Sequence, residues 1–451
     1  MVVQKFGGTS VADPDAIRRL IAIASRARTR HGRGPVVVVS AMSKVTDGLL
    51  ALAQTAAAGD VAGARAQLGQ IRERHTRALA ELVNGAPGPA EALIQGEFDA
   101  VEALLPSLSA AATVSPRSLD AIGAAGELAS SRLIAAAMAA SGLASAWVDA
   151  RRAIVTDDEH TRAVPDTVRT NEALQVLLSE PLDAGKVPVI GGFVGATREG
   201  VTTTLGRGGS DYSGALVGAG IGADEIQIWT DVDGMLTADP RVVPTAQVVP
   251  HLSFAEAAEL AYFGAKVLHP ATILPAIERD IPVRILNSRN ADAPGTLITA
   301  SPPPNPRPLT GLAGKRGLTV IDITSGRMLM AYGFLRQVFE VFERYRTAVD
   351  VVTTSEVSVS VTVDDTRHLD AIVTALSEFA TVSVDSGMAL LCAVGDRLPG
   401  EPAIAARAVG VLEEVPLEMI SQAASRRNIT VVLREVDLAK AMHRLHEEFF
   451  E

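Results

Sequence analysis

The sequence predicts an α/β fold in which a three-layer αβα domain with a mainly parallel central sheet precedes two smaller βαββαβ units. Three observations predict it. Over the first 300 residues, apolar β-branched runs alternate with alanine-rich helical stretches, which is typical of a parallel sheet covered by helices on both faces. The segment SPPPNPRP at 301–308 then interrupts this pattern. Beyond it, short strands surround single helices, and the same order of elements occurs twice.

Length and composition agree with a multidomain globular chain and exclude several other classes. The chain has 451 residues, of which 47% are hydrophobic and 21% charged, which excludes a disordered or fibrous protein. The formal net charge of −11 argues against partners such as nucleic acid or an anionic membrane, which need a basic face. Cys392 is the single cysteine, so an intrachain disulfide is excluded. We find no signal-like or membrane-spanning apolar segment and therefore expect a cytoplasmic protein.

The elements of residues 1–300 follow from the alternation. Strands are predicted at 2–3, 36–39, 187–193, 226–229 and 282–286. A helix is predicted at 15–27, where apolar residues recur at steps of three and four. Residues from about 48 to 118 have purely helical spacing and are predicted to form a helical insertion. His75 lies on the apolar stripe of this insertion, and we expect a packed core residue there rather than a ligand.

The C-terminal part begins with a predicted linker at 301–315, because five prolines in the eight residues 301–308 cannot continue a helix or a central strand. The repeated order of elements beyond it predicts two βαββαβ units, at 316–385 and 386–451. Small open sheets leave edge strands exposed, and a partner subunit commonly covers such edges. We therefore expect a homodimer or a dimer of dimers formed through these units.

Two glycine-rich turns follow predicted strands and carry candidate phosphate ligands. In KFGGTS at 5–10, the glycines let the backbone approach an anion closely, and Lys5 supplies a positive charge. In TLGRGGSD at 204–211, glycines, an arginine and a serine precede an alanine-rich helix. Either turn alone is also consistent with an ordinary strand-to-helix connection. Two such turns on one sheet favour two edges that contact phosphate groups.

Acidic residues mark two further candidate positions. WTDVDG at 229–234 and DPR at 239–241 place three aspartates and an arginine after a predicted strand. These residues are suited to hold a ribose or a metal–phosphate group, and they are equally suited to form turns. Glu127 stands beside Gly126 in an apolar helix, where a first-turn acid stabilised by the helix dipole is the alternative interpretation. The chain has no P-loop, no GxGxxG dinucleotide fingerprint and no protein-kinase signature.

Taken together, these motifs resemble those of the aspartokinases, the amino-acid kinases that phosphorylate the side-chain carboxylate of L-aspartate. The resemblance rests on KFGGTS at 5–10, SAMSKVTD at 40–47, GE at 126–127, TLGRGGSD at 204–211, WTDVDG at 229–234, DPR at 239–241 and FGAKVLHP at 263–270. It covers nearly the whole chain, and the helical insertion is most similar to the monofunctional, lysine-sensitive type. It implies an amino-acid-kinase domain at 1–300 and two ferredoxin-like ACT regulatory units beyond the linker.

The resemblance also implies roles for individual residues. It implies that Lys5 and Asp211 are catalytic and that Thr46, Glu127 and Arg207 bind aspartate. Contacts to ATP and its phosphates are implied for Gly7, Gly8, Ser210, Thr230, Asp231, Arg241 and Lys266. Contacts to an allosteric effector are implied for Met328, Gly333, Phe334, Leu335, Asp350, Ser355 and Glu356. No residue is assigned as a metal ligand.

The implied reaction uses ATP with Mg²⁺ and gives 4-phospho-L-aspartate, the first step toward lysine, threonine and methionine. The accepting carboxylate has a free pKa of about 4 and is ionised at pH 7, so no general base is required. The obstacle is repulsion between anions, about 4 kcal/mol for two unit charges 4 Å apart at an effective dielectric of 20. Lys5, Lys266, the glycine N–H groups and Mg²⁺ would offset this repulsion, and Asp211 would orient Lys5.

Two other functions remain open at this point. One is another amino-acid carboxylate kinase, which Glu127 and Arg207 together with the paired ACT units disfavour. The other is a catalytically inactive amino-acid-sensing subunit, which the presence of Lys5, Asp211 and Lys266 in the same chain disfavours.

The ACT units imply feedback control by an end-product amino acid, with lysine as the expected effector. A dimer scaffold without an effector site is the alternative, because a fold does not prove a site. The chain has Met330-Ala331 where a His-Ser pair is usual, which leaves the effector's identity open. It has Leu236 where relatives often carry a tyrosine near the nucleotide, which leaves the adenine contacts open.

Overall fold

The structure is a computed structural model of the chain, and it describes residues 1–32, 34–83, 88–264, 268, 270–326, 332–396, 398–422 and 426–451. The chain divides into two compact units. The N-terminal unit comprises Met1–Met235, Pro250–Phe254 and Val267–Pro302, and the C-terminal unit comprises Leu236–Val249, Ala255–Lys266 and Pro303–Glu451. Two segments of the predicted 1–300 domain therefore group with the C-terminal unit. None of the described helices is long and apolar enough to cross a bilayer.

The elements up to residue 302 alternate as the sequence predicts. The strands are β1 (Val2–Phe6), β2 (Val36–Val39), β3 (Ser145–Val148), β4 (Val187–Gly191), β5 (Val194–Ala196), β6 (Thr202–Thr204), β7 (Glu225–Thr230), β8 (His251–Ser253), β9 (Val283–Asn287) and β10 (Thr296–Thr299). The helices are α1 (Pro14–His31), α2 (Val45–Ala57), α3 (Val61–Leu82), α4 (Gly88–Ala111), α5 (Pro116–Ala140), α6 (Ala150–Ala153), α7 (Thr167–Asp183), α8 (Gly209–Ile221), α9 (Phe254–Tyr262) and α10 (Leu274–Glu278).

Eight of these strands form one sheet in the order β3-β4-β2-β1-β7-β9-β10-β8. All neighbouring strands are parallel except β9 and β10, so the prediction of a mainly parallel sheet is confirmed. Strands β1, β2 and β4 are buried along their whole length, because their apolar side chains are covered on both faces. Lys5 on β1 pairs with Val38 on β2 and with Ile228 on β7, which places it at the centre of the sheet.

The predicted helical insertion consists of α2, α3, α4 and the start of α5, which pack against one another. Their apolar stripes form a shared core that includes Leu49, Leu68, Phe98 and Leu105. His75 is buried in this core, its Nδ1 lies 2.8 Å from the Ile71 carbonyl oxygen, and its ring packs edge-on against Phe98. Burial lowers the pKa of His75 to about 4, so the imidazole is neutral at pH 7, as expected for a packed residue.

The C-terminal unit contains a second sheet with helices packed on it. Its strands are β11 (Gly311–Thr324), β12 (Val352–Thr354), β13 (Ser358–Val363), β14 (Thr381–Val394), β15 (Leu417–Gln422) and β16 (Asn428–Arg434). Its further helices are α11 (Phe334–Arg344), α12 (Leu369–Ser377), α13 (Pro402–Gly410) and α14 (Leu438–Phe450). The strand order is β12-β13-β11-β14-β16-β15, and every neighbouring pair is antiparallel.

Both predicted βαββαβ units share this single six-stranded sheet. Strands β11 and β14 pair from Gly311 with Val394 to Thr324 with Thr381, so each strand runs through both units. The first residues of β11 lie in the segment predicted as linker, and they pair with the part of β14 that belongs to the second unit. The second unit thus takes one strand from residues that precede the first. This pairing is a long-range contact, which a repeat in the sequence does not reveal.

Candidate active site

A cavity of about 560 Å³ lies where the loops after β1, β2, β4 and β7 meet. This is the carboxyl edge of the sheet, where open α/β sheets bind their ligands. The cavity brings together ten of the predicted site residues: Lys5, Gly7, Gly8, Thr46, Glu127, Arg207, Ser210, Asp211, Thr230 and Asp231. Residues more than 200 positions apart in the sequence therefore share one pocket, because the parallel strands all end at the same edge.

Lys5 and Asp211 form a buried ion pair on the cavity wall. The distance from Lys5 Nζ to Asp211 Oδ1 is 2.6 Å, and the two side chains are only 9% and 17% exposed. Asp211 lies in the first turn of α8, where the helix dipole stabilises a negative charge. Gly214 on the same helix leaves room for the lysine, since a Cβ there would come within 3.1 Å of Lys5 Cβ. The ammonium group is therefore held in a defined place without a ligand.

The first glycine turn packs against the loops that follow the neighbouring strands. Gly7 donates its N–H to the Trp229 carbonyl oxygen at 3.0 Å. A Cβ on Gly8 would lie 3.3 Å from the Ala41 carbonyl oxygen, so a larger residue would push the turn away from the loop after β2. These close approaches leave little room for side chains between the turn and its neighbours.

The second glycine turn requires glycine for its backbone conformation. Gly206 and Gly208 have φ angles of 74° and 73°, in the left-handed region that other residues rarely adopt. Arg207 lies between them with an exposed side chain that lines the cavity, and α8 begins at Gly209. Within the described parts of the chain, no carboxylate forms an ion pair with Arg207. Its guanidinium is therefore available to bind an anion.

Glu127 is a buried carboxylate in the same cavity. It lies on α5 and is only 4% exposed. The Thr46 hydroxyl donates to Oε1 at 3.5 Å, whereas Oε2 has no hydrogen-bond partner among the residues that the structure describes. Burial raises the pKa of Glu127 to about 8, although the backbone N–H groups of Ala41 and Glu127 and the Thr46 hydroxyl act in the opposite direction. A buried oxygen without a partner is costly, and a cation bound in the cavity would satisfy it.

Buried serines hold the loop after β7 that carries Thr230 and Asp231. Ser288 donates its hydroxyl to the Thr230 carbonyl oxygen at 3.0 Å, and Ser10 donates to the Trp229 carbonyl oxygen at 3.3 Å. The two serine oxygens are themselves 2.7 Å apart. The first glycine turn, which contains Ser10, is thereby joined to the loop after β7.

Reasoning from the sequence did not single out Ser288 or the cavity-lining Lys44 and Asp47. A signal for each was present in the sequence. Ser288 directly follows Asn287, the last residue of β9, and the other two belong to SAMSKVTD, directly after the run that forms β2. Polar residues at the carboxyl end of a buried parallel strand are candidates for a site by position alone.

The other predicted residues lie elsewhere. Arg241 does not line the cavity; it is 84% exposed and pairs with Asp239 at 2.6 Å in the C-terminal unit. Asp-Pro-Arg thus forms a local turn here, in which the aspartate and the arginine are close neighbours. Lys266 and Met328 lie outside the described residues, so the positions expected for them stay predictions.

The remaining predicted effector residues lie in the C-terminal unit. Gly333 caps the start of α11 with a φ of 88°, and Phe334 and Leu335 open this helix. Both oxygens of Asp350 accept hydrogen bonds from Lys315 Nζ, at 3.0 and 2.9 Å. Ser355 and Glu356 follow β12. The assignment of these residues to an effector site stays a prediction.

Comparison with known proteins finds one family match in the N-terminal part of the chain and another in the C-terminal part. Residues 1–287 match the model of the amino acid kinase family, and residues 391–449 match an ACT domain. Aspartokinase 3, chloroplastic, of Arabidopsis thaliana is 39% identical over 464 residues, which cover 100% of this chain and 81% of that protein. Lysine-sensitive aspartokinase 3 of Escherichia coli is 37% identical over 462 residues, which cover 100% and 99%.

A solved structure gives the same result. The crystal structure of E. coli aspartokinase III in complex with aspartate and ADP matches with a TM-score of 0.85 at 37% identity, and the match covers 100% of both chains. The family model spans more than half of this chain, and the relatives match it along its whole length. The chain therefore belongs to the aspartokinases, kinases of the amino acid kinase family, and carries a C-terminal ACT domain.

Proposed function

We propose that the chain transfers the γ-phosphoryl group of ATP to the β-carboxylate of L-aspartate and forms 4-phospho-L-aspartate. The observation that supports this best is the unpartnered oxygen of buried Glu127, which shares a cavity with Arg207 and both glycine turns. An amino acid offers an ammonium and a carboxylate on one carbon, which match these two side chains in charge. The similar E. coli structure contains aspartate and ADP.

Aspartate recognition is assigned to three side chains. The Arg207 guanidinium pairs with the α-carboxylate as a bidentate fork, which is the strongest geometry for that pair. Glu127 accepts the α-ammonium through its free oxygen, and the charge of the ammonium lowers the pKa of the carboxyl so that it ionises on binding. Thr46, which donates to Glu127, completes the set. The β-carboxylate is then left to face the phosphates.

Phosphate binding is assigned to the two glycine turns and to Lys5. Gly7, Gly8 and Ser210 line the cavity beside Lys5. Because the Gly7 N–H already donates to the Trp229 carbonyl oxygen, the donors proposed for the phosphate oxygens are the N–H groups of Gly8 and Ser210 and the Lys5 ammonium. Thr230 and Asp231 are proposed to contact the nucleotide, with Lys266 as a further cation. The charges that line the cavity are mixed rather than purely basic, since Asp47 and Asp231 also line it.

Mg²⁺ is the expected companion of ATP, and the residues fit it. This ion prefers oxygen ligands, keeps several waters and is bound through one or two carboxylates together with substrate phosphates. Asp47 and Asp231 are cavity-lining carboxylates that would hold it. When bound, the ion neutralises phosphate charge, and this chain's own residues position the two substrates.

No side chain needs to remove a proton in this reaction. The β-carboxylate is already ionised at pH 7 because its free pKa is about 4. Catalysis then requires in-line positioning and positive charge beside the transferring group. Lys5 supplies such a charge, and Asp211 orients it through the 2.6 Å ion pair. Asp211 is therefore assigned as a positioning group rather than as a base.

Trapping of the acyl phosphate tests the substrate. The protein is incubated with Mg-ATP and, in parallel, with aspartate, glutamate or acetylglutamate, and hydroxylamine converts an acyl phosphate to a coloured hydroxamate. We expect hydroxamate only with aspartate. Product with one of the other acids would assign a different carboxylate kinase, and no product from any of them would favour an inactive sensing subunit.

Feedback by lysine and assembly through the C-terminal units are part of the proposal. A similar E. coli protein is named lysine-sensitive, and the C-terminal unit carries the predicted effector residues. The edge strands β12 and β15 expose Val352 and Ile420, apolar side chains that a second subunit would cover. A homodimer or a dimer of dimers through these edges is therefore proposed.

A further inference from the structure

We propose that Asp120 is a positioning residue for aspartate binding, because it joins the helix that carries Glu127 to the loop that carries Arg207. This inference rests on the proposed function of those two side chains. Asp120 does not line the cavity, so it acts through its neighbours. It lies on α5 seven residues before Glu127, which is about two helical turns on the same face.

Asp120 is buried and is hydrogen-bonded to three residues. Its side chain is 1% exposed. The Thr204 hydroxyl donates to Oδ1, the Thr161 N–H lies 3.0 Å from Oδ1 and 3.1 Å from Oδ2, and His160 Nδ1 lies 2.6 Å from Oδ2. A buried carboxylate with this many donors has a defined orientation. The three donors come from two separate segments, β6 and the turn before α7.

One of these segments continues along the chain to Arg207, and the other contacts the glycine that precedes Arg207. Thr204 ends β6, and Gly206 follows it by two residues. The Thr204 carbonyl oxygen accepts the Ala163 N–H at 2.9 Å. A Cβ on Gly206 would lie 3.1 Å from the Thr161 carbonyl oxygen, so the glycine that precedes Arg207 rests on the same turn that Asp120 holds. Thr161 itself has a φ of 71°, a conformation that a non-glycine residue keeps only where surrounding contacts impose it.

The arrangement sets the separation between two binding groups. Glu127 is fixed to α5, and Arg207 is fixed to α5 through Asp120, Thr204 and Thr161. The ammonium and the α-carboxylate of aspartate sit on one carbon atom, so their partners must be held at a matching distance. Loss of the Asp120 link would leave Glu127 in place and let Arg207 move. Aspartate binding would weaken, whereas Lys5 on β1 and Thr230 on β7 belong to other segments and would keep their positions. Ser210 follows the same turn, but its helix α8 packs on β1 through Gly214 and Lys5, so phosphate binding would change much less.

A pair of neighbouring threonines provides a matched test. Thr204→Val removes the hydroxyl that donates to Asp120 and keeps the shape of the side chain. Thr203→Val is the control, because Thr203 is equally buried on β6 but bonds to Thr156 at 2.7 Å. We expect Thr204→Val to raise the KM for aspartate about tenfold, with the KM for ATP and the kcat at saturating aspartate within twofold of wild type. Thr204→Ser, which restores the donor, should restore the KM.

A double-mutant cycle with Arg207→Ala shows whether the effect passes through Arg207. If Asp120 acts by placing that guanidinium, the loss in kcat/KM from Thr204→Val should vanish once Arg207 is truncated, because effects on one shared interaction are not additive. An additive loss would assign Thr204 to general stability and overturn the proposal. Asp120→Asn should change the KM for aspartate in the same direction.

The outcomes separate this proposal from the proposed function. If wild-type protein forms no hydroxamate with aspartate, the function itself fails. If wild type is active and Thr204→Val has the same KM for aspartate as the control Thr203→Val, only the positioning role fails. Thermal unfolding is measured on every variant; loss of the folded state in both Thr204→Val and Asp120→Asn would assign the cluster to fold stability and would likewise overturn the proposal.

Discussion

Burial decides the charge of Glu127 in the ligand-free protein. A carboxyl group in water would be ionised at pH 7, but this one has a pKa raised to about 8 by desolvation. Lys5 and Asp211 differ from Glu127 because they form an ion pair, in which each buried charge is offset by the other across 2.6 Å. Of the acids that line the cavity, Glu127 is thus the one with a buried unpaired oxygen among the described residues, and Asp211 is already paired with a cation. At the scale of single residues, the unpaired carboxyl is the group assigned to aspartate binding, and the ion-paired lysine is the group assigned to catalysis.

Glu127→Gln is expected to stabilise the folded protein at high pH. A raised pKa means that the folded state holds a proton that the unfolded state releases, so wild-type stability falls as pH rises from about 4.5 to about 8 and stays low above it. Glutamine carries no charge and avoids this loss. The variant should match wild type near pH 4. At pH 8.5 it should have the higher Tm, which corresponds to a free energy of unfolding that is larger by on the order of a few kcal/mol. Calorimetry across this range provides the measurement.

The same variant should lose affinity for aspartate. A hydrogen bond to a charged group contributes about 1.5–3 kcal/mol, so the KM for aspartate at pH 8 should rise at least tenfold in Glu127→Gln while the KM for ATP stays constant. Wild type should release close to one proton when aspartate binds at pH 7, since the carboxyl ionises against the ammonium. An unchanged aspartate KM in the variant would contradict the assignment of Glu127.

Lys5→Ala is expected to remove nearly all turnover and leave the fold intact. Loss of one preorganised donor to developing charge costs about 3–4 kcal/mol, or roughly 10²–10³ in kcat. The double variant Lys5→Ala with Asp211→Asn is the control, because it removes the carboxylate that the single variant leaves without its partner. Circular dichroism and the hydroxamate assay supply the readouts. Normal kcat in folded Lys5→Ala would refute the role of this lysine.

At the scale of elements, the site depends on turns that only glycine permits. Strands β1, β2, β4 and β7 end at one edge, and the connections after them and at the start of α8 supply the cavity wall. The sheet fixes the positions of these turns, and the turns bring side chains or N–H groups to the cavity wall. Gly206 is the clearest case, since it has a positive φ and also lies against the Thr161 carbonyl oxygen.

Gly206→Ala tests the second turn, with Gly200→Ala as its control. Both glycines have positive φ, at 74° and 80°, so alanine should cost about 1–2 kcal/mol of conformational strain at either position. Gly200 has open space around it and does not line the cavity. We expect both variants to lose Tm through the backbone strain, with a larger loss in Gly206→Ala because its Cβ would also lie 3.1 Å from the Thr161 carbonyl oxygen. The KM for aspartate should rise in Gly206→Ala alone. Equal kinetics in the two variants would argue against a role of this turn in binding.

At the scale of the whole molecule, the candidate active site and the predicted effector residues belong to different units. Feedback therefore requires a coupling free energy between two sites, and coupling of this kind is reciprocal. Lys315 is relevant to effector binding because its ammonium forms ion pairs with Asp350, at 2.9 Å, and with Asp364, at 2.8 Å. An amino-acid effector with an ammonium group would compete for the same carboxylate.

Asp350→Asn should weaken the response to lysine. The variant removes the charge that an effector ammonium would need, so the lysine concentration for half-maximal inhibition should rise at least tenfold, as expected for loss of about 1.5–3 kcal/mol. Asp365→Asn is the matched control, because Asp365 lies in the same unit and pairs with Arg367 at 2.5 Å. Titration with lysine and with threonine gives the measurement. An unaltered lysine response would place the effector elsewhere or limit the unit to a scaffold.

Much of the architecture could be predicted from the sequence because burial on both faces leaves a local signal. The strands β1, β2, β4, β7 and β9 were each visible as apolar runs. Strands β3, β8 and β10 were not, since they have three or four residues and are partly exposed. The long strands β11 and β14 cross the predicted boundaries at 315/316 and 385/386, because their pairing along the full length is a long-range contact that no local pattern contains.

By itself, the sequence determined the class of the fold, the two glycine turns and ten of the residues that line the cavity, because periodicity and residue type are local properties of the chain. Only the tertiary structure decided which of them meet. It paired Arg241 with Asp239 and did not include Arg241 among the residues that line the cavity. It also left one oxygen of Glu127 buried without a partner among the described residues. Desolvation and long-range pairing depend on neighbours that are distant in sequence, so no local pattern contains them.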